Sequence, residues 1–211
     1  MNRIIYLHGF ASSPMSRKAQ FFESRFAERG LNIEVPDLAE GDFEHLTITR
    51  QLSVIERRAK DEPVWLIGSS LGGYLAALYA ARHPEVERLM LMAPAFNFVA
   101  RWCERLGPDE MMRWKQTGKL SVEHYGDGLM HELHYGLIED GSEYESYPNF
   151  QQPALIFHGR QDDVVPQEFS ITFAQQHEKV ELHLLDSGHE LTNVFDAMWP
   201  ETERFFELTA T

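Results

Sequence analysis

Cysteine is almost absent from this sequence, and long hydrophobic runs are missing altogether. Cys103 is the single cysteine among 211 residues, so the chain cannot form an internal disulfide. A chain of this length can bury enough surface to fold without such cross-links. One cysteine fits a reducing compartment, and we expect Cys103 to be a small buried residue. Every apolar run is shorter than the ~20 residues that a membrane span requires, so we expect no transmembrane segment.

Positive charge is also scarce. The chain has 19 Lys and Arg residues against 33 Asp and Glu, which gives a formal net charge of -14. Nucleic acids and anionic membranes attract basic surfaces, so we do not expect either as a main partner. The apolar stretch after Met1 is too short for a secretory signal. We therefore expect a cytoplasmic protein, or an organellar one whose leader has been removed, and the composition sets no oligomeric state.

Short apolar runs alternate with helical patterns along most of the chain. Four-residue runs such as Ile4 to Leu7 and Val64 to Ile67 predict buried strands. Apolar residues spaced three and four apart between these runs predict amphipathic helices. This alternation predicts an α/β fold, with a mostly parallel central sheet and helices on both of its faces. We expect one domain over residues 1–211.

The segment at about residues 95–150 interrupts this alternation. It has no clear strand and is too long for a plain loop, so we predict a small helical insertion, or lid. Its tryptophan and methionine side chains either line an acyl pocket or form the core of the lid. His131 and His134 lie three residues apart, with His124 nearby. A zinc site would need further ligands, so we expect a polar face of the lid and no metal.

A five-residue pattern centred on Ser70 predicts the nucleophile of a serine hydrolase. Residues 68–72, Gly-Ser-Ser-Leu-Gly, match the G-x-S-x-G pattern. They follow a predicted strand and precede a predicted helix, as this tight turn requires. An oxyanion hole needs two N–H donors, and Leu71 supplies one of them. Phe10, in the loop after the first strand, is the expected second donor, while His8 is expected to brace that loop.

The acid and the base must follow the serine in this chain order. His189 lies in a short loop after the last predicted strand, from which it can reach the serine, so we assign it as the general base. Asp162 and Asp163 lie side by side in the turn after the strand that ends at Phe157. Only one of the two can face inward, and their positions alone do not decide which of them is the triad acid.

Four stretches together resemble the small esterases of the α/β-hydrolase superfamily. They are residues 6–10, residues 68–74, residues 158–166 and residues 187–189. The first two stretches are similar to the bacterial YqiA-like esterases. Trp114 to Gly118 and the tyrosine-rich stretch near Tyr135 resemble the acyl-protein thioesterase branch, which includes a depalmitoylase.

The resemblance implies an α/β-hydrolase fold and places the triad acid at Asp162, the aspartate four residues after His158. Asp163 is then a solvated or helix-capping carboxylate. It also implies hydrolysis of carboxylic esters or thioesters, and we expect small to medium acyl groups and no cofactor. A C–C bond hydrolase or an acyltransferase could use the same triad. A binding protein that only keeps the pocket is disfavoured, since it need not retain a full triad and both oxyanion positions.

Overall fold

The structure is a computed structural model that describes residues 3–208. Helices and strands alternate along these residues, as the sequence predicts. In chain order they are β1 Arg3–Leu7, α1 Arg17–Ala27, β2 Ile33–Glu34, α2 Ile48–Ala59, β3 Val64–Ser69, α3 Leu71–Ala80, β4 Val86–Met92, α4 Phe98–Thr117, β5 Lys119–His124, β6 Leu129–His134, α5 Gly136–Gly141, β7 Ala154–Gly159, α6 Gln167–Gln175, β8 Val180–Leu185 and α7 Phe195–Phe206.

Six strands form the central sheet, in the order β2-β1-β3-β4-β7-β8. All neighbouring pairs are parallel. Side chains alternate between the two faces, so that in β1 Ile5 and Leu7 join one core while Ile4 and Tyr6 join the other. Both faces are covered, which explains why these strands are continuous apolar runs.

Helices lie on both faces of the sheet, which confirms the predicted layers. α1 and α7 cover the face that carries Tyr6, and α2, α3 and α6 cover the other. Every residue of α3 is buried, and its glycines and alanines let this helix lie close to the strands. The carboxyl ends of β1, β3, β7 and β8 meet at one edge of the sheet, where ligands bind in open α/β folds.

The insertion is only partly helical. It begins with α4, which Gly107 (φ 75°) divides into two segments just before Pro108, and it ends with the short α5. Between them β5 and β6 form an antiparallel hairpin, so the expectation of an insertion without strands is wrong. The hairpin is amphipathic, since residues along β5 alternate between exposed and half-buried. Cys103, on α4, is exposed, contrary to the expectation that it is buried.

Within the described residues, no helix combines the length and the apolar character that crossing a bilayer demands.

Candidate active site

Ser70 lies at a sharp turn between β3 and α3. Its backbone has φ 54° and ψ -116°, a strained conformation for a residue with a side chain. Surrounding hydrogen bonds hold it there, since the Ser70 N–H donates to the Met92 carbonyl at 2.8 Å and its own carbonyl accepts from Ala95 at 3.0 Å. The turn projects the hydroxyl beyond the carboxyl end of the sheet.

Gly68 and Gly72 make this turn sterically feasible. A Cβ atom on Gly68 would lie 2.4 Å from the Gly72 carbonyl oxygen, and one on Gly72 would lie 2.1 Å from the Leu7 carbonyl oxygen. Both contacts are with backbone atoms, which cannot rotate away as a side chain would. The two glycines of the pattern are therefore required by the close approach of β1, β3 and α3.

His189 links Ser70 to Asp162. Its Nε2 is 3.0 Å from the Ser70 Oγ, and its Nδ1 is 2.8 Å from the Asp162 Oδ2. A carboxylate can only accept, so Nδ1 carries the proton and Nε2 accepts from the serine hydroxyl. The structure thus brings together the three side chains that the sequence indicates, with the imidazole in the tautomer that can take a proton from Ser70.

The Asp162 carboxylate is fully buried and fully hydrogen-bonded. Its Oδ1 accepts the backbone N–H groups of Val164 at 2.9 Å and Val165 at 2.8 Å. Its Oδ2 lies 3.2 Å from the His158 Nε2 as well as beside His189. Burial acts to raise the pKa of Asp162, but the hydrogen bonds from His158, His189 and Val165 outweigh it. They hold the pKa of Asp162 well below its usual range, so this group stays ionised.

Asp163 lies outside this network. It is exposed and lines an open surface pocket of about 390 Å³ with Arg101, Glu104, Arg105 and Val164. Of the two neighbouring carboxylates, Asp162 alone contacts His189.

Phe10 and Leu71 lie next to the turn that carries Ser70. Leu71 is the first residue of α3, and first-turn N–H groups have no partner within their own helix. A Cβ on Gly9 would lie 3.4 Å from both the Ser70 Cβ and the Ser69 carbonyl oxygen, so the Gly9–Phe10 peptide runs directly beside the turn. The Leu71 N–H follows Ser70 directly in the chain, and the Phe10 N–H belongs to this neighbouring peptide.

His8 fixes the orientation of that peptide. Its Nδ1 donates to the Gly9 carbonyl at 3.0 Å, and its Nε2 accepts the Leu38 N–H at 3.2 Å. Burial lowers the pKa of His8, which favours the neutral imidazole that these bonds require. The C=O and N–H of a trans peptide point in opposite directions, so holding the Gly9 oxygen also aims the Phe10 N–H.

Several further residues support the site, and two of them, Ser170 and Lys18, belong to no motif that sequence reasoning could use. The His158 Nδ1 is 2.7 Å from the Ser170 Oγ, and its Nε2–H is shared between the Val165 carbonyl at 2.8 Å and the Asp162 Oδ2 at 3.2 Å, which braces the turn that carries Asp162. Gly159 allows the loop that carries His189 to pass close to the end of β7, because a Cβ on Gly159 would lie 2.3 Å from the Ser187 carbonyl oxygen. Lys18, on α1, is a buried cation 3.6 Å from the Glu190 carboxylate, and burial lowers the pKa of this lysine.

A family model and several curated proteins are similar in sequence to this chain. A model of the family described as Uncharacterised protein family (UPF0227) matches residues 3–206. The curated mouse protein "Serine hydrolase BPHL" is 29% identical over 157 residues, which cover 63% of this chain and 54% of that protein. The chain thus spans about half the length of the curated BPHL relatives it matches.

Solved structures show the same architecture. Mouse alpha/beta hydrolase domain-containing protein 10 superposes with a TM-score of 0.80 at 20% identity, covering 98% of this chain and 90% of that chain. Est1E from Butyrivibrio proteoclasticus, in a structure with bound ferulic acid, gives a TM-score of 0.81 at 22% identity, covering 100% and 90%. These likenesses establish the α/β-hydrolase fold.

Proposed function

Because the chain belongs to the UPF0227 family and has the α/β-hydrolase fold, we propose that it is a serine hydrolase. In this proposal it cleaves carboxylic esters or thioesters of small to medium acyl groups. Ser70 is the nucleophile, His189 the general base and Asp162 the carboxylate that orients and stabilises the imidazolium. The N–H groups of Phe10 and Leu71 form the oxyanion hole.

The observation that carries the proposal is the hydrogen-bonded series Asp162–His189–Ser70 at the strained turn. A histidine with only a structural role would not need a serine partner held at φ 54°, because this backbone strain costs of order 1–3 kcal/mol. Strain of this kind persists when the surroundings impose it, and it exposes the hydroxyl at the carboxyl edge of the sheet. This arrangement suits nucleophilic attack.

The reaction follows from these positions. The Ser70 Oγ attacks the acyl carbon while its proton passes to the His189 Nε2, and the resulting oxyanion accepts hydrogen bonds from Phe10 and Leu71. Collapse of this intermediate breaks the bond to the alcohol or thiol, which leaves with the proton from His189. Water then attacks the acyl-enzyme by the same route and releases the carboxylic acid and free Ser70.

The surroundings of Phe10 favour a substrate with an apolar acyl group. The Phe10 ring packs edge-on against Trp102 at 5.3 Å and is tilted against Phe43 at 5.5 Å between ring centroids. Trp102 in turn lies 5.5 Å from Trp114. These aromatic rings place an apolar wall, partly supplied by the insertion, beside one proposed oxyanion donor. Est1E, a protein of the same fold, has been solved with an aromatic acid bound.

Active-site labelling combined with a substrate series tests the proposal. A fluorophosphonate probe should label the wild-type protein on Ser70 and should fail to label Ser70→Ala. A series of p-nitrophenyl esters of increasing chain length, assayed beside acyl thioesters, should be hydrolysed with a preference for short and medium chains. Ser70→Ala should reduce kcat by about 10⁴-fold or more, as loss of a triad serine does.

Ser69→Ala is the matched control, because it removes a neighbouring hydroxyl that does not contact His189. It should keep both labelling and hydrolysis. Hydrolysis that survives Ser70→Ala would overturn the proposal. A labelled protein that transfers its acyl group to alcohols and releases no acid would assign it to acyl transfer.

A further inference from the structure

The hairpin β5–β6 carries a cluster of potential metal ligands that the proposed function does not use. In its antiparallel register Val122 pairs with His131 and His124 pairs with Leu129. Side chains two residues apart on a strand share a face, so His124 and His131 are diagonal neighbours on the same face. His134, three residues after His131, lies on the opposite face. The pair that the sequence suggested, His131 and His134, is therefore separated, and His124 joins His131.

Asp127, in the turn of the hairpin, completes this group. Its Oδ2 is 2.8 Å from the His131 Nε2, and its Oδ1 is 3.5 Å from the His124 Nδ1. One ligand atom from each of the three residues lies within 4.8 Å of the others. Ligands about 2.1 Å from a tetrahedral zinc ion are roughly 3.4 Å apart, so small side-chain rotations bring all three to coordinating distance.

The His124 Nδ1 also lacks a hydrogen-bond partner although it is buried. Buried polar atoms are usually hydrogen-bonded, and this one lies 3.5 Å from the Asp127 Oδ1 without forming a hydrogen bond. A bound cation would satisfy it. The Phe43 ring packs edge-on against both His124 and His131, at 5.0 and 5.9 Å between centroids, and so limits the rotation of the two imidazoles.

We propose that His124, Asp127 and His131 bind one divalent transition-metal ion at the tip of the hairpin. Two imidazoles and one carboxylate suit zinc, cobalt or nickel, whereas magnesium and calcium prefer sites made of oxygen ligands alone. Three protein ligands leave at least one coordination position for water. The site is separate from the proposed catalytic residues and does not depend on the function assigned to them.

The position of this site connects it to the loop that carries Phe10. The Tyr125 N–H, between two of the ligands, donates to the Ala11 carbonyl at 2.7 Å. Phe43 touches Phe10 as well as both imidazoles. A bound metal would join β5, β6 and the turn between them, and would thereby stabilise the hairpin segment against which the Phe10 loop rests.

Calorimetric titration of the untagged, chelator-treated full chain with zinc chloride tests the site. We expect one equivalent of zinc to bind and to raise the melting temperature, while magnesium and calcium do neither. Asp127→Asn keeps the hydrogen bond that Asp127 accepts from the Leu129 N–H but loses the charge of the ligand. Asp127→Asn and His131→Gln should each weaken zinc binding by at least about tenfold. Loss of a residue that only hydrogen-bonds to a metal ligand already weakens metal binding by at least about this factor.

His45→Gln is the matched control. The His45 Nδ1 lies 2.9 Å from the Asp42 Oδ1, an exposed histidine–carboxylate pair outside the three-residue cluster, and this change should leave zinc binding intact. A second cluster, Glu181, His183 and Glu201, is tested by His183→Gln. Absence of saturable zinc binding, or binding that survives Asp127→Asn and His131→Gln but not His183→Gln, would overturn the proposal. Circular dichroism of each variant confirms that these surface changes leave the fold intact.

Discussion

The turn at Ser70 and the hairpin β5–β6 lie at the same end of the molecule and are built in opposite ways. Backbone atoms around Ser70 approach so closely that Gly72 has no room for a Cβ, and all of α3 is buried. The hairpin exposes Leu129 and Met130 by more than 60%. Its base is held by Lys119, which forms ion pairs with Glu44 and Glu132.

The two regions differ in how precisely they hold their groups in place. Backbone contacts fix the reacting groups to a few tenths of an ångström, and such contacts tolerate no change of side-chain size. Exposed ion pairs contribute little stability and hold one geometry weakly. The turn at Ser70 therefore requires glycine at positions 68 and 72, whereas the exposed positions Leu129 and Met130 of the hairpin are under no such steric constraint.

The largest expected effect distinguishes a buried from an exposed carboxylate, at Asp162 and Asp163. Asp162→Asn should lower kcat by about 10⁴-fold, because the amide favours the wrong imidazole tautomer. Asp163→Asn should leave kcat unchanged, because that side chain is exposed and does not contact His189. Steady-state hydrolysis of a p-nitrophenyl ester measures both, and equal losses in the two variants would refute this assignment of the acid.

A pair of glycine substitutions compares the steric tolerance of the two regions. Gly72→Ala places a Cβ 2.1 Å from the Leu7 carbonyl oxygen, so it should reduce the free energy of unfolding by at least about 3 kcal/mol, the upper end for overpacking. Gly128→Ala meets no atom within 4 Å but has φ +71°, and it should cost only about 1–2 kcal/mol. Urea denaturation gives both values, and similar losses would contradict the contrast drawn above.

The pH dependence of stability sharpens the contrast further. The pKa of Asp162 is lower in the folded chain than its ordinary value of 3.8, so its ionised form stabilises the fold. This contribution is complete above the unfolded pKa and is lost as the pH falls from there through the folded pKa. The difference in unfolding free energy between wild type and Asp162→Asn should therefore stay constant above about pH 5 and shrink as the pH falls from there to about 2. Asp163→Asn is the control for the loss of one negative charge. A difference in unfolding free energy that grows at low pH would show that the pKa of Asp162 is raised on folding and not lowered.

The smallest effect is expected on the exposed side of the hairpin. Leu129→Ser should change the free energy of unfolding by less than about 0.5 kcal/mol, as is usual for surface positions, since the leucine is 61% exposed. Thermal denaturation of the two proteins measures the difference. A loss above 1 kcal/mol, which would equal that of a buried side chain, would show that Leu129 is covered in solution.

Sequence patterns predicted the sheet well because parallel strands buried on both faces are short apolar runs between helices. They failed at the hairpin for a physical reason. Leu120 and Val122 alternate with polar residues, which is a strand pattern, and Gly126 and Gly128 suit a turn. The alternation involves only half-buried side chains, so its hydrophobic contrast is weak and is easily taken for a polar stretch of a helical segment.

The parts of the proposed site that depend on consecutive residues can be predicted from the sequence, whereas the parts that depend on contacts between separate segments cannot. The strained turn depends on five consecutive residues, so Ser70 was identifiable from the pattern alone. The sequence distinguishes Asp162 from Asp163 only through family resemblance, because the two N–H donors that hold Asp162 belong to the backbone of Val164 and Val165. Lys18 reaches the site from α1, far from the other site residues in the sequence, and Ser170 lies on α6, directly after the turn of Asp162. Neither belongs to a pattern that indicates its contact.

The lone thiol has a practical consequence. Cys103 is exposed on α4, next to Trp102, whose ring touches Phe10. A maleimide fluorophore or a nitroxide would therefore attach at one defined position without any engineered cysteine. Such a label sits on the insertion and not on the sheet, so its spectrum would report the movements of this segment separately from those of the close-packed turn at Ser70.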